Sequence, residues 1–259
     1  MTTRTSHTGR ALVTGVVALV LGARVAHAAT PFGGDDLGFI PPDKPTLSCE
    51  AKTATNVAKL IQTVTGCHVK SADAGLKGKP FAEETCEVAA RAKYDRANAA
   101  LTGCPACLDA GAVADGEIGR LDGVAALLVY CDNTSGTPLA DGDDSGFVPA
   151  NRATAQCENQ TTKRIAVLAK ASIKCHNAFA ARALKSGTFD DTHEDACEAA
   201  ALAKYQAVVG ALAHCPPCLT PVFTVLGSGI VDSVDTNGGA VYWASPSGTF
   251  LDDATGTVR

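Results

Sequence analysis

The sequence predicts a mainly α protein: a tandem repeat of two disulfide-stapled antiparallel helical hairpins, each followed by a small irregular or β-hairpin cap. Three observations predict it. The cysteines recur as a set, the spacing inside each set equals whole helical turns, and the residues between them carry an apolar stripe of helical period.

The eleven cysteines stand at 49, 67, 86, 104, 107 and 131, then at 157, 175, 197, 215 and 218. Cys49 and Cys67 recur 108 residues later, and Cys86, Cys104 and Cys107 recur 111 residues later. The flanking segments repeat with them. GDDLGFIP (34–41) returns as GDDSGFVP (142–149), CEVAARAKY (86–94) as CEAAALAKY (197–205), and CPACL (104–108) as CPPCL (215–219). Internal duplication is therefore the first fact of the organisation, to be established before any shorter motif is interpreted. The boundaries it implies are a leader at 1–28, an N-terminal linker at 29–48, helical repeat 1 at 49–140, an inter-repeat linker at 141–156 and helical repeat 2 at 157–259.

Cys49 and Cys67, Cys86 and Cys104, Cys157 and Cys175, and Cys197 and Cys215 are all 18 apart. Eighteen residues make about five turns of helix, so both members of a pair fall on one stripe. Val57, Leu60 and Val64 share the first stripe, matched by Ile165, Leu168 and Ser172. Ala89, Ala90, Lys93, Tyr94, Ala97 and Leu101 follow Cys86, matched by Ala200, Ala201, Tyr205, Val208 and Leu212. Paired positions of an antiparallel hairpin have residue numbers of constant sum. Cys49 with Cys104 and Cys67 with Cys86 share 153, and Cys157 with Cys215 and Cys175 with Cys197 share 372. One register thus closes both bonds of each repeat, and each bond contributes about 3–4 kcal/mol in the chain-entropy account, less when nested. The arrangement resembles the twin Cx(n)C helical hairpins, in which two bridges clamp a pair of helices. The resemblance covers Cys49–Cys104 and Cys157–Cys215 and is one of architecture.

Beyond the hairpins, a short strand is expected before Cys131, and a β-hairpin is expected at 230–243, where IVDSV and AVYW flank DTNGG. Cys107 has Cys131 as its remaining partner within repeat 1. Aligning Tyr130 with Tyr242 puts Trp243 where Cys131 would recur, so Cys218 is expected to be unpaired, either packed beside Trp243 or bridging two chains in a dimer.

The leader carries Arg4 and Arg10, an apolar run at 11–23 and a small-x-small site ending at Ala28, the pattern of a cleaved signal peptide. An exported chain oxidises its cysteines, and a secreted or periplasmic location is expected. Of 22 Lys and Arg, three (Arg4, Arg10 and Arg24) lie in the leader, and none of the 27 Asp and Glu do; the mature chain carries a net charge of −8. That balance disfavours nucleic acid and anionic lipid as partners, and no later segment is long enough to span a membrane.

No catalytic residues emerge. The sequence lacks a nucleophile elbow, a zincin motif and a phosphate loop. The CPAC and CPPC motifs follow helices instead of preceding them, where the dipole raises a thiol's pKa. His68 and His176 each follow a cysteine and, with His193 and His214, are expected to be solvated on helix flanks. Asp141, Asp143 and Ser145 fit the first half of a calcium loop, but Arg152 stands where the bidentate acid belongs. No metal ligands and no cofactor are assigned. The expectation is an exported, non-enzymatic structural or binding protein whose two modules meet an unknown protein or surface ligand. The alternative is thiol–disulfide or metal handling through Cys104/Cys107 and Cys215/Cys218.

Overall fold

Two runs of more than thirty residues with no interior proline and abundant alanine form the two long helices on which everything else is mounted. The computed structural model describes residues 31–33, 36–140, 144–188 and 190–219, with two short strands near the C-terminus. Helix α1 (Lys44–Gly75) starts at Asp43, whose side chain accepts from Thr46 N at 2.8 Å, with Pro45 in the first turn. Helix α2 (Glu83–Ala99) returns beside it. Two short helices follow, α3 (Ala110–Arg120) and α4 (Ala126–Val129), joined by a π turn at Leu121–Ala125. Repeat 2 supplies α5 (Arg152–Ser186), capped by Asn151 and ended by Gly187 in the left-handed conformation, and α6 (Thr192–Val209). Among the described residues, strands form two small antiparallel ribbons, β1 (Pro31–Gly33) with β2 (Asp36–Phe39) and β3 (Leu251–Asp252) with β4 (Thr257–Val258).

The mainly helical, hairpin-built fold is the expected one, with differences that matter. Each hairpin is stapled at both ends, Cys49 to Cys104 and Cys67 to Cys86, then Cys157 to Cys215 and Cys175 to Cys197, with Cα separations of 5.1, 5.9, 5.2 and 5.8 Å. Cys104 and Cys215 lie beyond α2 and α6, which end at Ala99 and Val209. The 18-residue spacing therefore measures a full helix only between the first two cysteines of each repeat. The segment expected to form a strand before Cys131 is helical instead, because its apolar residues Val113, Leu121, Ala126 and Val129 recur at helical spacing and all face inward.

The two repeats share one core. Val57, Leu60, Ile61 and Val64 of α1 pack with Ala90 and Tyr94 of α2, and equally with Ala166, Ala169 and Ile173 of α5. The long helices run antiparallel: Asn177 near the end of α5 donates to Ala51 O near the start of α1, while Asn159 near the start of α5 donates to Asp73 near the end of α1. This docking overturns one expected disulfide. Cys131 is bonded to Cys218, not to Cys107, with Cα atoms 6.0 Å apart. The antiparallel docking carries the end of α4 to the segment that follows α6, where Val129 and Tyr130 are buried with Leu219. The bond crosses between repeats, Cys107 is left as an exposed free thiol, and a dimer through Cys218 is ruled out in this bonding pattern. The leader and the expected 230–243 hairpin with Trp243 lie outside the described residues. Among the described residues, no helix is long and apolar enough to cross a membrane.

Candidate metal centre

On α2 the inward stripe, read back from Tyr94 through Ala90, continues to Glu87 and Glu83. Two carboxylates thus stand where apolar residues belong. The Cys67–Cys86 bridge fixes the neighbouring helix so that His68, one residue after Cys67, meets them. His68 is not solvated but 2% exposed. Its Nε2 lies 3.1 Å from Glu87 Oε1, 3.2 Å from Asp122 Oδ1, 3.1 Å from Asp144 Oδ1 and 3.8 Å from Glu83 Oε1.

Asp122 reaches the cluster from the π turn, an irregularity often found at functional sites. Asp144 arrives from the inter-repeat linker. That linker is not a solvated connection at this point: the Asp144 side chain is fully buried. Its neighbours are pinned by main-chain bonds, Ser145 N donating to Asp122 O at 2.7 Å and Phe147 N to Tyr130 O at 2.8 Å. Gly146 sits between them at φ +117°, where a Cβ would lie 3.0 Å from Tyr130 O, so only glycine lets the strap close this tightly. Asp141 and Asp143 of the half calcium loop lie outside the described residues.

Four carboxylates around a single ring nitrogen cannot all be satisfied by one N–H. Both oxygens of Glu83 and Asp144, and one each of Glu87 and Asp122, are buried without a hydrogen-bond partner, a costly arrangement for charged groups. Burial works against a charged His68, but the flanking Asp122, Asp144 and Glu87 overcome it and raise its pKa to about 12. Burial and the neighbouring acids push Glu83 up to about 10, and burial first of all pushes Asp122 up to about 7. The donor set, one imidazole and four carboxylates, is that of a hard to borderline divalent cation such as Mn²⁺, Fe²⁺ or Zn²⁺. Three of the four N···O distances match the edge of an octahedron with metal–ligand bonds of ~2.1–2.2 Å, which is about 3.0–3.1 Å.

Repeat 2 places His176 with Glu194 and Glu198 at the equivalent positions, and among the described residues no further acid joins the group. His193 and His214 are exposed. The CPAC and CPPC cysteines play no part in either cluster. Cys104, Cys215 and Cys218 are committed to three different disulfides, so neither motif forms an internal redox pair, and Cys107 alone of the four keeps a free thiol. Asn159, which opens the glycosylation sequon Asn159-Gln-Thr161, is buried, donating to Asp73 and accepting from Tyr130 Oη, which leaves no room for a glycan. The signal for the missed ligands was present in the sequence: CH and ExxCE occur in both repeats, and the two glutamates are one helical turn apart.

The fold and site define a cysteine-rich, mainly helical protein of disulfide-linked hairpins around a buried histidine–carboxylate cluster. No family model, no curated protein and no solved structure matches the chain.

Proposed function

We propose that this is an exported metal-binding protein that holds a divalent transition-metal cation at His68, Glu83, Glu87, Asp122 and Asp144. One observation carries the reading: four buried carboxylates converge on one imidazole nitrogen, and six of their oxygens have no hydrogen-bond partner. This is the metal-handling alternative with its thiols replaced by carboxylates. Five disulfides suit an oxidising compartment. Retention of the ion is the role that the burial supports: the four ligand side chains beside His68 are 0–6% exposed.

The test is metal analysis of the oxidised protein after dialysis, with calorimetric titration of the chelator-stripped form by Mn²⁺, Zn²⁺ and Co²⁺. Binding with Kd below about 1 μM, lost in His68→Ala and in Glu87→Gln, is expected. Full-length, correctly disulfide-bonded protein that takes up none of the three ions would refute the proposal.

A further inference from the structure

The duplication supplies a second set of donors. His176 follows Cys175 as His68 follows Cys67, and Glu194 and Glu198 flank Cys197 as Glu83 and Glu87 flank Cys86. The surroundings have diverged: where repeat 1 has Val69, Thr85 and Val88, repeat 2 has Asn177, Ala196 and Ala199. The donor trio has not. Its ligand atoms lie within 4.8 Å of one another, with His176 Nε2 3.1 Å from Glu198 Oε1 and Nδ1 against Glu194. The setting differs from that of the first cluster in its access to water. The Glu194 side chain is 2% exposed, but those of His176 and Glu198 are 16% and 26% exposed.

We propose that His176, Glu194 and Glu198 bind a second divalent cation of the same class, and that this ion exchanges freely while the first is locked in. The inference rests on the reading of the His68 cluster as a metal site. Three protein ligands, all that the described residues supply, leave coordination positions for water, and the imidazole turns one nitrogen from its glutamate to the ion. An incoming chelator reaches such an ion directly. At the first cluster the strap must lift first, breaking the Ser145–Asp122 and Phe147–Tyr130 main-chain bonds.

The experiment loads the stripped, oxidised full chain with Co²⁺, counts ions per chain, and follows the visible spectrum after mixing with excess EDTA. Two ions and a biphasic release are expected, the fast phase at least about tenfold faster, since the slow one waits on local opening. Glu198→Gln and His176→Asn each remove the fast phase and one ion and leave the slow rate unchanged. Circular dichroism and disulfide mapping confirm that these variants fold. One slowly released ion in the unmodified protein, or two that survive both substitutions, would overturn the second site and leave the first standing. No bound ion at all would overturn both.

Discussion

The two histidine–glutamate clusters start from the same three residues and are built for different ends. In repeat 2, one imidazole lies between two glutamates, Nδ1 facing Glu194 and Nε2 facing Glu198. A ring held this way has a donor for each carboxylate when it is protonated, so the trio can be satisfied without a metal. In repeat 1, Asp122 and Asp144 are added, and all four carboxylates face one nitrogen. A proton cannot balance that group. Two additional acids, one placed by a π turn and one by a strap, turn a trio whose charge one proton can balance into a group whose charge no single proton can.

Four measurements break or sharpen the contrast between repeats. The largest effect is expected from cutting the bond that joins them. Cys131→Ser with Cys218→Ser removes a bridge spanning 87 residues and should cost about 4 kcal/mol of unfolding free energy, read by denaturant titration against the unmodified protein. A loss no larger than that of a surface substitution would mean that the α1–α5 core alone holds the repeats together.

Asp144→Asn makes the first cluster more like the second. Affinity for the ion should fall by about a hundredfold, or about 3 kcal/mol. The stripped protein should become more stable by about 1–2 kcal/mol, because a buried charge is gone. The two changes have opposite signs, and a substitution that weakened both states would point to a purely structural role for the strap acid.

Glu50 and Glu158 are counterparts, each following the first cysteine of its repeat, and again the environments differ. Glu158 is fully buried, and burial followed by the neighbouring Asp132 raises its pKa to about 8. Glu50 is part-exposed, and burial followed by Asp43 raises it to about 7. A carboxyl whose folded pKa is raised favours the native state fully below its unfolded value, near 4.5, and that contribution is lost as pH rises to the folded value. Stability should therefore decline between about pH 4.5 and 8. Glu158→Gln should remove the larger share of that decline, and Glu50→Gln the smaller. Thermal melts across this range decide; equal slopes in all three proteins would remove Glu158 as the cause.

The smallest effect on stability belongs to Cys107, the counterpart of the bonded Cys218. Cys107→Ser should change unfolding free energy by less than about 0.5 kcal/mol. Any covalent dimer seen on a non-reducing gel under oxidising conditions should disappear with it. A dimer that persists in the variant would place a different cysteine at the junction.

Much of the fold was legible because covalent geometry restricts it severely. Cysteines 18 apart with a common register leave few arrangements other than stapled hairpins. What the spacing could not convey was how the hairpins dock. Pairing Cys107 with Cys131 assumed that each repeat closes on itself, and the shared core formed by Val64, Ala169 and their neighbours is invisible to a rule applied within one repeat. The site was half legible. His68 stands out beside a bridged cysteine, but the apolar stripe of α2 that runs forward from Cys86 does not include Glu83 and Glu87. Asp144 was out of reach of any local pattern, because it comes to His68 across 76 residues of chain, through main-chain bonds of its neighbours to Asp122 and Tyr130 that exist only in the folded protein.

The bond between Cys131 and Cys218 also constrains how the molecule can mature. Chains are made from the N-terminus, and Cys104, Cys107 and Cys131 emerge well before Cys218 exists to be oxidised. An oxidant acting on cysteines in order of appearance would join Cys131 to Cys107, leaving Cys218 stranded. The native pattern therefore demands either that oxidation of Cys131 waits for repeat 2, or that an early Cys107–Cys131 bridge is later reshuffled by thiolate attack through a mixed disulfide. In the second route Cys107 is the thiol released at the end, which would make its free, exposed state in the finished protein the residue of an exchange reaction.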